Sequence, residues 1–312
     1  RDNSITKQRY WGTPAPIWRC DNCKEYKVIG SIKELEKYGK APKNLHKPWI
    51  DDVKWDCKCG GEMKRIPDIL DVWIDAGCCS WACLYYPQRK DLFEKYFPAD
   101  FIIEGKDQIR GWFNLLMVAS MVSMGKNCFN NVHMHGFVTD VGGEKMSKSL
   151  GNVISPYELV DKHGADTLRF YMTGNNAGED INFSWEEAKL KYKNLSILWN
   201  VHKYLVDYSK LFKVKRGKLS VEDNYILSRM NDTILKVTDH MEKYEIDLIP
   251  KLIEDLFLDL SRNYIQLVRN KMDGHVLSVI EEVLLNSVKM LSILSPFISE
   301  KIYLDMKEEF RY

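Results

Sequence analysis

The chain has 312 residues, 45% of them hydrophobic and 29% charged, a composition that allows a full core in roughly two domains. Its net charge of +1 excludes a molecule-wide basic field, so any nucleic-acid contact must come from a local patch. The longest apolar stretch, residues 113–124, is too short to span a membrane and carries Asn114, Ser120 and Ser123.

The first residues carry neither a signal peptide nor a transit peptide. The chain opens without a Met, inside what reads as an active-site segment, which predicts a piece of a longer protein. Eight cysteines could form disulfides, but Cys20-x-x-Cys23 and Cys57-x-Cys59 are close pairs. Pairs of this kind in a chain without an export signal predict metal in a reducing, cytoplasmic setting. Four thiolates are enough for a tetrahedral zinc, and His46, between the pairs, could replace one of them. Residues 20–63 are polar and turn-rich and read as an inserted knuckle without a core of its own, so the zinc is expected to be structural. Cys78, Cys79, Cys83 and Cys128 sit in apolar sequence and read as small core residues.

Phe101-Ile102-Ile103 predicts a buried strand ending at Glu104-Gly105. Ile109, Trp112, Phe113 and Leu116 then recur at helical spacing, and residues 131–138 predict a second strand. Strand–helix–strand–helix order predicts an α/β fold with a mostly parallel sheet, and ligands on such sheets bind beyond the carboxyl ends of strands. Glu104-Gly105 and His135-Gly136 lie near such ends. The string Glu104-Gly105-Lys106-Asp107-Gln108-Ile109-Arg110-Gly111-Trp112-Phe113 can hold a ribose and an ammonium group, with an aromatic wall one turn on. Read alone, it fits equally an N-capping Asp107 with a core Trp.

Gly142-Gly143-Glu144-Lys145-Met146-Ser147-Lys148-Ser149-Leu150-Gly151-Asn152 places two lysines and two serines between glycine pivots that make a mobile entry and exit. Attack at the α-phosphate of ATP builds charge on pyrophosphate, and ammonium groups on a closing loop neutralise it. The string is not a Walker A loop. The competing reading is a solvated basic hairpin.

Ser155-Pro156-Tyr157-Glu158 and Ser184-Trp185-Glu186-Glu187 read as capping boxes that open helices. From Ser184 onward long helical periods predict an antiparallel bundle. Leu227, Met230, Ile234 and Met241 mark one face, and Ile253, Leu256, Phe257, Leu260, Tyr264 and Leu267 the next. Residues 186–218 carry nine Lys/Arg, among them Lys189 and Lys193, against Glu186, Glu187 and Asp207. This excess of six positive charges is either a solvated face or a contact for a polyanion.

Arg9-Tyr10-Trp11-Gly12-Thr13-Pro14, Asp71-Val72-Trp73-Ile74-Asp75, the Glu104 string and the segment from His135-Gly136 to Asn152 occur in an order that resembles class I aminoacyl-tRNA synthetases, the isoleucyl branch in particular. Asp223-Asn224-Tyr225-Ile226-Leu227-Ser228-Arg229 and Asp259-Leu260-Ser261-Arg262 are similar to that family's anticodon-binding helices, so the likeness covers nearly the whole chain. The resemblance implies the second half of a Rossmann-like catalytic domain over residues 1–19 and 64–183. It also implies a zinc knuckle over 20–63 and a helical anticodon-binding bundle over 184–312. Lys145 and Lys148 would act on the phosphates of ATP, which comes with Mg²⁺, and Gly136, Val138 and Met146 would lie near adenine. Glu104, Gly105, Asp107 and Gln108 would frame the aminoacyl-adenylate, and Trp73 and Trp112 would wall the isoleucine side chain. Lys189 and Lys193 would contact tRNA(Ile).

The sequence departs from that pattern in places. It has no His-x-Gly-His segment and no editing domain, so the chain alone is expected to be inactive while a longer parent ligates isoleucine to tRNA. Thr6-Lys7-Gln8 and Ala76 also differ from the residues usual there. The alternatives are a non-catalytic, zinc-containing tRNA-binding module, and valine specificity on the same fold.

Overall fold

The computed structural model describes residues 4–147 and 149–310. Lys148, the second cation of the lysine loop, lies outside the described residues. The chain divides into two compact units. One comprises the residues up to Ile102 together with Asp107–Val132, the other Ile103–Lys106 together with His133 onward.

In the first unit, β1 (Thr6–Lys7) pairs antiparallel with β6 (Ile69–Leu70). Between them β2 (Ile17–Cys20), β3 (Tyr26–Val28), β4 (Trp55–Asp56) and β5 (Glu62–Arg65) form an antiparallel sheet in the order β3-β2-β5-β4, with the one-turn helix α1 (Ile32–Leu35) alongside. Side chains alternate as a pleated strand requires: Trp18 and Cys20 are buried while Arg19 is exposed. Trp18, Ile29, Leu35, Ile50, Val53 and Met63 bury one another, and the Trp18 indole donates to the Val53 carbonyl at 2.7 Å. The insertion therefore has an apolar core, contrary to the sequence reading. Its members are too far apart in the chain to show a period and meet only when the sheet closes.

Helices α2 (Val72–Gly77), α3 (Cys79–Ala82) and α4 (Lys90–Tyr96) follow, then β7 (Ala99–Gly105), α5 (Trp112–Met124) and β8 (Phe129–His135). Cys128 is buried with Trp81, Phe97 and Leu116, and Cys78 and Cys79 pack against them. Cys83, at the end of α3, is exposed and does not join this core. A Cβ on Gly77 would lie 2.8 Å from the Leu115 carbonyl oxygen, so glycine there lets α2 and α5 approach backbone to backbone.

β7 pairs with β8 in a two-stranded sheet. The strand expected at 101–103 is present, but Ile103 is 46% exposed, because so small a sheet leaves part of β7 uncovered. The strand expected over 131–138 breaks at Gly136 and resumes as β9 (Val138–Thr139), which pairs parallel with β10 (Ile181–Asn182). The sheets of the described residues are thus small and separate, and the two with the insertion and with β1 are antiparallel, in place of one mostly parallel sheet.

The second unit continues with α6 (Pro156–His163) and α7 (Ala165–Thr173). Pro156 starts α6 as expected, but Ser155 makes no side-chain cap and Glu158 pairs with Lys162 at 2.7 Å, so no capping box closes. Ser184 caps α8 (Trp185–Ser209) by accepting from the Glu187 N–H at 3.2 Å, while its own N–H donates to the Tyr171 hydroxyl at 3.0 Å. The complete box is at Ser220 and Asp223, the start of α9 (Val221–Glu242).

α10 (Ile249–Asp259), a π-turn at Leu260–Tyr264, α11 (Ile265–Val268), α12 (Gly274–Leu291) and α13 (Pro296–Phe310) complete the bundle. The buried face of α9 is Ile226, Met230, Thr233 and Val237; Leu227 and Ile234 only flank it, and Met241, 38% exposed, lies outside the core. Leu267 is 58% exposed and Val268 takes its place in the core. The π-turn inserts an extra residue per turn, which rotates the face that follows it.

Candidate functional site

The lysine loop hangs from β9. Asp140 Oδ1 accepts from the N–H groups of Gly142 at 2.9 Å and Glu144 at 2.8 Å, and Oδ2 accepts from Asn152 Nδ2 at 2.9 Å. Asn152 in turn accepts from the Ser147 N–H at 2.9 Å and donates to the Lys145 carbonyl at 3.3 Å. Gly143 and Gly151 have φ of +81° and +67°, the left-handed region that glycine adopts without strain. Entry and exit of the loop are therefore tied together, where the glycines alone read as free pivots. The Asn152 amide, then the Glu144 N–H, hold the Asp140 carboxyl below its ordinary pKa. Asp140 was not picked out in the sequence, although an Asp two residues before Gly-Gly is an Asx-turn signature.

Around this loop the second unit collects the residues expected near a nucleotide. Gly136 is buried, and a Cβ there would lie 1.8 Å from the Glu179 carbonyl oxygen. Val138 pairs with Ile181, and Met146 Sδ accepts from the Ile154 N–H at 3.3 Å. Lys145 Nζ stands 6.0 Å from the centroid of the Phe137 ring. Gly105 is buried, and the exposed Glu104 turns one carboxylate oxygen to the Gly105 N–H at 3.3 Å.

The rest of the Glu104 string belongs to the first unit, from Asp107 on. Gln108 Oε1 accepts from the Trp112 N–H at 2.9 Å and so caps α5 in place of Asp107, which accepts from Gln108 Nε2. The Trp112 indole donates to the Ala76 carbonyl at 3.1 Å and packs against the core around Trp81. Trp73 is half exposed and, with Arg9, Trp11, Asp71 and Asp75, lines a cavity of about 730 Å³. A Cβ on Gly111 would be 2.6 Å from Gln108 Oε1 and 3.5 Å from the Trp73 ring, so Trp73, Gln108 and Trp112 do come together.

The Sγ atoms of Cys20, Cys23, Cys57 and Cys59 lie within 4.8 Å of one another, at 3.5 Å for Cys20–Cys59 and 3.7 Å for Cys23–Cys57. Tetrahedral zinc with bonds of about 2.3 Å needs sulfurs about 3.8 Å apart, so the donor set fits that ion. A Cβ on Gly61 would come within 2.9 Å of Cys20 Sγ, which leaves room only for glycine beside the cluster. The Gly61 N–H favours the Cys59 thiolate and brings its pKa down to about 6. The Glu25 N–H favours the Cys23 thiolate, but hydrogen bonds among the sulfurs outweigh it and push that thiol up to about 12. His46 is outside the cluster; its ring bonds Asn44 at 2.9 Å.

Lys189 and Lys193 are exposed one turn apart on α8. Lys191, counted in the same basic run, instead pairs with the buried Glu254 at 2.7 Å, and Asn194 joins it at 2.8 Å. The two strings that resemble anticodon-binding helices meet in the bundle: the Tyr225 hydroxyl donates to Asp259 at 2.7 Å, and the Tyr264 hydroxyl to Asp223 at 2.6 Å. Among the described residues no helix is long and apolar enough to cross a membrane.

Residues 1–184 match the family of tRNA synthetases class I (I, L, M and V), and residues 223–311 the anticodon-binding domain of tRNA ligase. The isoleucine–tRNA ligase of Methanocella arvoryzae is 44% identical over 97% of this chain, and that of Archaeoglobus fulgidus 40% identical over 100% of it. The chain spans 29% and 32% of those relatives. The solved LeuRS of Agrobacterium radiobacter K84, in a ternary complex with tRNA and LeuAMS, superposes with a TM-score of 0.74 at 25% identity, over 96% of this chain and 41% of its own. Mycobacterium tuberculosis methionyl-tRNA synthetase bound to methionyl-adenylate shares the fold, with a TM-score of 0.67 at 23% identity over 76% of this chain and 50% of its own. The architecture is a catalytic α/β region with a four-cysteine cluster, followed by a helical anticodon-binding domain. With more than half of its length matched, the chain belongs to the class I tRNA synthetases (I, L, M and V).

Proposed function

We propose that this segment works in an isoleucine–tRNA ligase of the cytoplasm, supplying the lysine-loop half of the site that activates isoleucine with ATP and Mg²⁺ and transfers it to tRNA(Ile). The observation that carries the reading is the loop around Lys145, braced by Asp140 and Asn152 beside the crowded backbone at Gly136. Lys145 and Lys148 neutralise charge that builds on pyrophosphate as the α-phosphate is attacked, and preorganised cations lower that barrier without reorganising during the step. Gly136, Val138 and Met146 border the adenine, and Glu104, Gly105, Asp107 and Gln108 the adenylate. Trp73 and Trp112 bound the isoleucine side chain.

Residues 1–19 and 64–183 are the catalytic part in this reading, 20–63 the knuckle and 184–312 the tRNA-binding bundle. The four cysteines hold a structural zinc that leaves no open position for chemistry. Isoleucine specificity is supported by the identity of the relatives. In the full-length protein, Lys148→Ala should lower isoleucine-dependent pyrophosphate exchange by about 10²–10³-fold. Exchange at the unmodified rate, or exchange driven equally by valine, would refute the assignment.

A further inference from the structure

Lys106, a member of the Glu104 string with no role of its own in the sequence, belongs to the same unit as the lysine loop. Its ammonium lies 2.8 Å from Asp180 Oδ1, and the same oxygen accepts from the Phe137 N–H at 2.7 Å. One carboxylate thus fixes both the Phe137 peptide, next to Gly136, and the Lys106 side chain. Lys106 Nζ stands 5.7 Å from the Phe137 ring centroid, and Lys145 Nζ 6.0 Å from it. Among the described residues no ion pair joins Lys145 to a carboxylate, so two ammonium groups attend one half-exposed ring and Asp180 pairs with one of them. Like charges on flexible side chains ordinarily spread apart in water. Here Asp180 holds one of them in place.

We propose that Lys106 is a further phosphate-binding cation of the nucleotide site, and that Asp180 is its positioning residue. The inference rests on the reading of Lys145 as a contact to the phosphates of ATP. An ammonium group has three N–H donors. Asp180 engages Lys106 from one side and leaves donors for phosphate oxygens on the other. The shared Asp180 oxygen also holds the peptide of Phe137, the ring that both cations attend, so a phosphate chain beside that ring meets two ammonium groups. Removal of Lys106 takes away a contact to phosphate and none to the base.

The test is binding of ATP and of adenosine to the full-length protein, with KM for ATP in pyrophosphate exchange. Lys106→Met should weaken ATP about tenfold and leave adenosine unchanged, and Lys106→Arg should recover most of the loss. Asp180→Asn keeps an acceptor for the Phe137 N–H and should raise KM for ATP by a smaller factor with kcat held. Equal losses for ATP and adenosine would reduce Lys106 to structural support and overturn the proposal. Unchanged ATP affinity in Lys106→Met, beside a clear loss in Lys145→Met, would overturn this inference alone. No loss in either variant would take the ATP reading down with it.

Discussion

Asn152 donates its side-chain amide to Asp140 across the base of the lysine loop at 2.9 Å, and this bond joins the residue that opens the loop to the one that closes it. Loops that carry cations to a reaction must hold them within a fraction of an ångström of the productive place. Asn152→Ala removes the brace and leaves Lys145 and its neighbours chemically intact. Isoleucine-dependent exchange in the full-length protein should fall about 10–100-fold, mostly in kcat. An unchanged kcat would mean that the loop orders itself without the brace. The folded-state pKa of Asp140 is depressed, so the stabilisation it brings is present above the ordinary carboxylate value and is lost as pH falls through the lower, folded one. The brace is therefore complete at neutral pH.

Zinc content gives a second test. The chain should hold one zinc ion, and a strong chelator should remove it. Ligation needs all four thiolates, so binding releases protons and affinity falls with falling pH. Cys59, held near 6, is already a thiolate at neutral pH, whereas Cys23, near 12, must give up its proton to the metal. Proton release measured by calorimetry in buffers of different ionisation enthalpy should therefore exceed one per zinc at pH 7. Because the Trp18 core remains, the metal-free insertion should keep part of its tryptophan near-ultraviolet dichroism. Complete loss of that signal would show that the core depends on the metal.

The bond from Tyr264 to Asp223 is buried in the bundle, and Asp223 also accepts from the Ser220 N–H and faces His275 Nε2 at 3.1 Å. Burial alone would raise the Asp223 pKa, but the Tyr264 hydroxyl and then the Ser220 N–H outweigh it and hold it below the ordinary value. Tyr264→Phe should cost about 1–3 kcal/mol in urea unfolding, because a buried carboxylate loses a donor. The depressed pKa makes this contribution full above the unfolded carboxylate value and lost as pH falls through the folded one. The difference between variant and wild type should shrink below about pH 4. A constant difference down to acid pH would assign the loss to packing instead.

What the sequence made legible was contiguous: the cysteine pairs, the lysine string, the start of α8 at Ser184 and the helical period of α10. What it hid depends on residues far apart in the chain. Asp180 reaches Phe137 across 43 positions, and Trp18 reaches Val53 across 35. The Leu267 position was misread for a different reason, since a π-turn changes the period itself and a count of three and four residues cannot register it. On α9 Met230 does sit on the buried face as read, but Thr233, a polar residue, holds the buried position read for Ile234 and bonds the Arg229 carbonyl at 2.9 Å. The Ser155 box failed because Glu158 had a lysine one turn away to pair with.

Gly136→Ala tests the crowding at the strand break. Its backbone φ is not in the left-handed region, so the demand for glycine comes from contact and not from conformation. A methyl group placed 1.8 Å from the Glu179 carbonyl must push one backbone segment away. The variant should lose about 1–3 kcal/mol of stability. It should also bind ATP more weakly, because the segment that moves carries the Phe137 N–H bond to Asp180. Wild-type ATP affinity in a destabilised variant would separate the packing from the nucleotide site.

The basic residues of α8 divide by partner, and the last prediction uses that division. Lys189 and Lys193 face solvent, whereas Lys191 is committed to Glu254, whose carboxylate is buried and shared with Asn194. Lys189→Glu with Lys193→Glu should leave the unfolding free energy within about 0.5 kcal/mol of wild type. The same pair should weaken tRNA binding and reduce the slope of log affinity against log salt by about 1–2, the share of two phosphate contacts. Lys191→Met should do the reverse. It strands a buried carboxylate and costs about 3–5 kcal/mol in unfolding, with the salt slope of whatever folded protein remains unchanged. If the charge reversals left both affinity and slope intact, α8 would present a solvated face, and the tRNA contact would have to be sought among Lys213, Lys215, Arg216 and Lys218 in the loop that follows it.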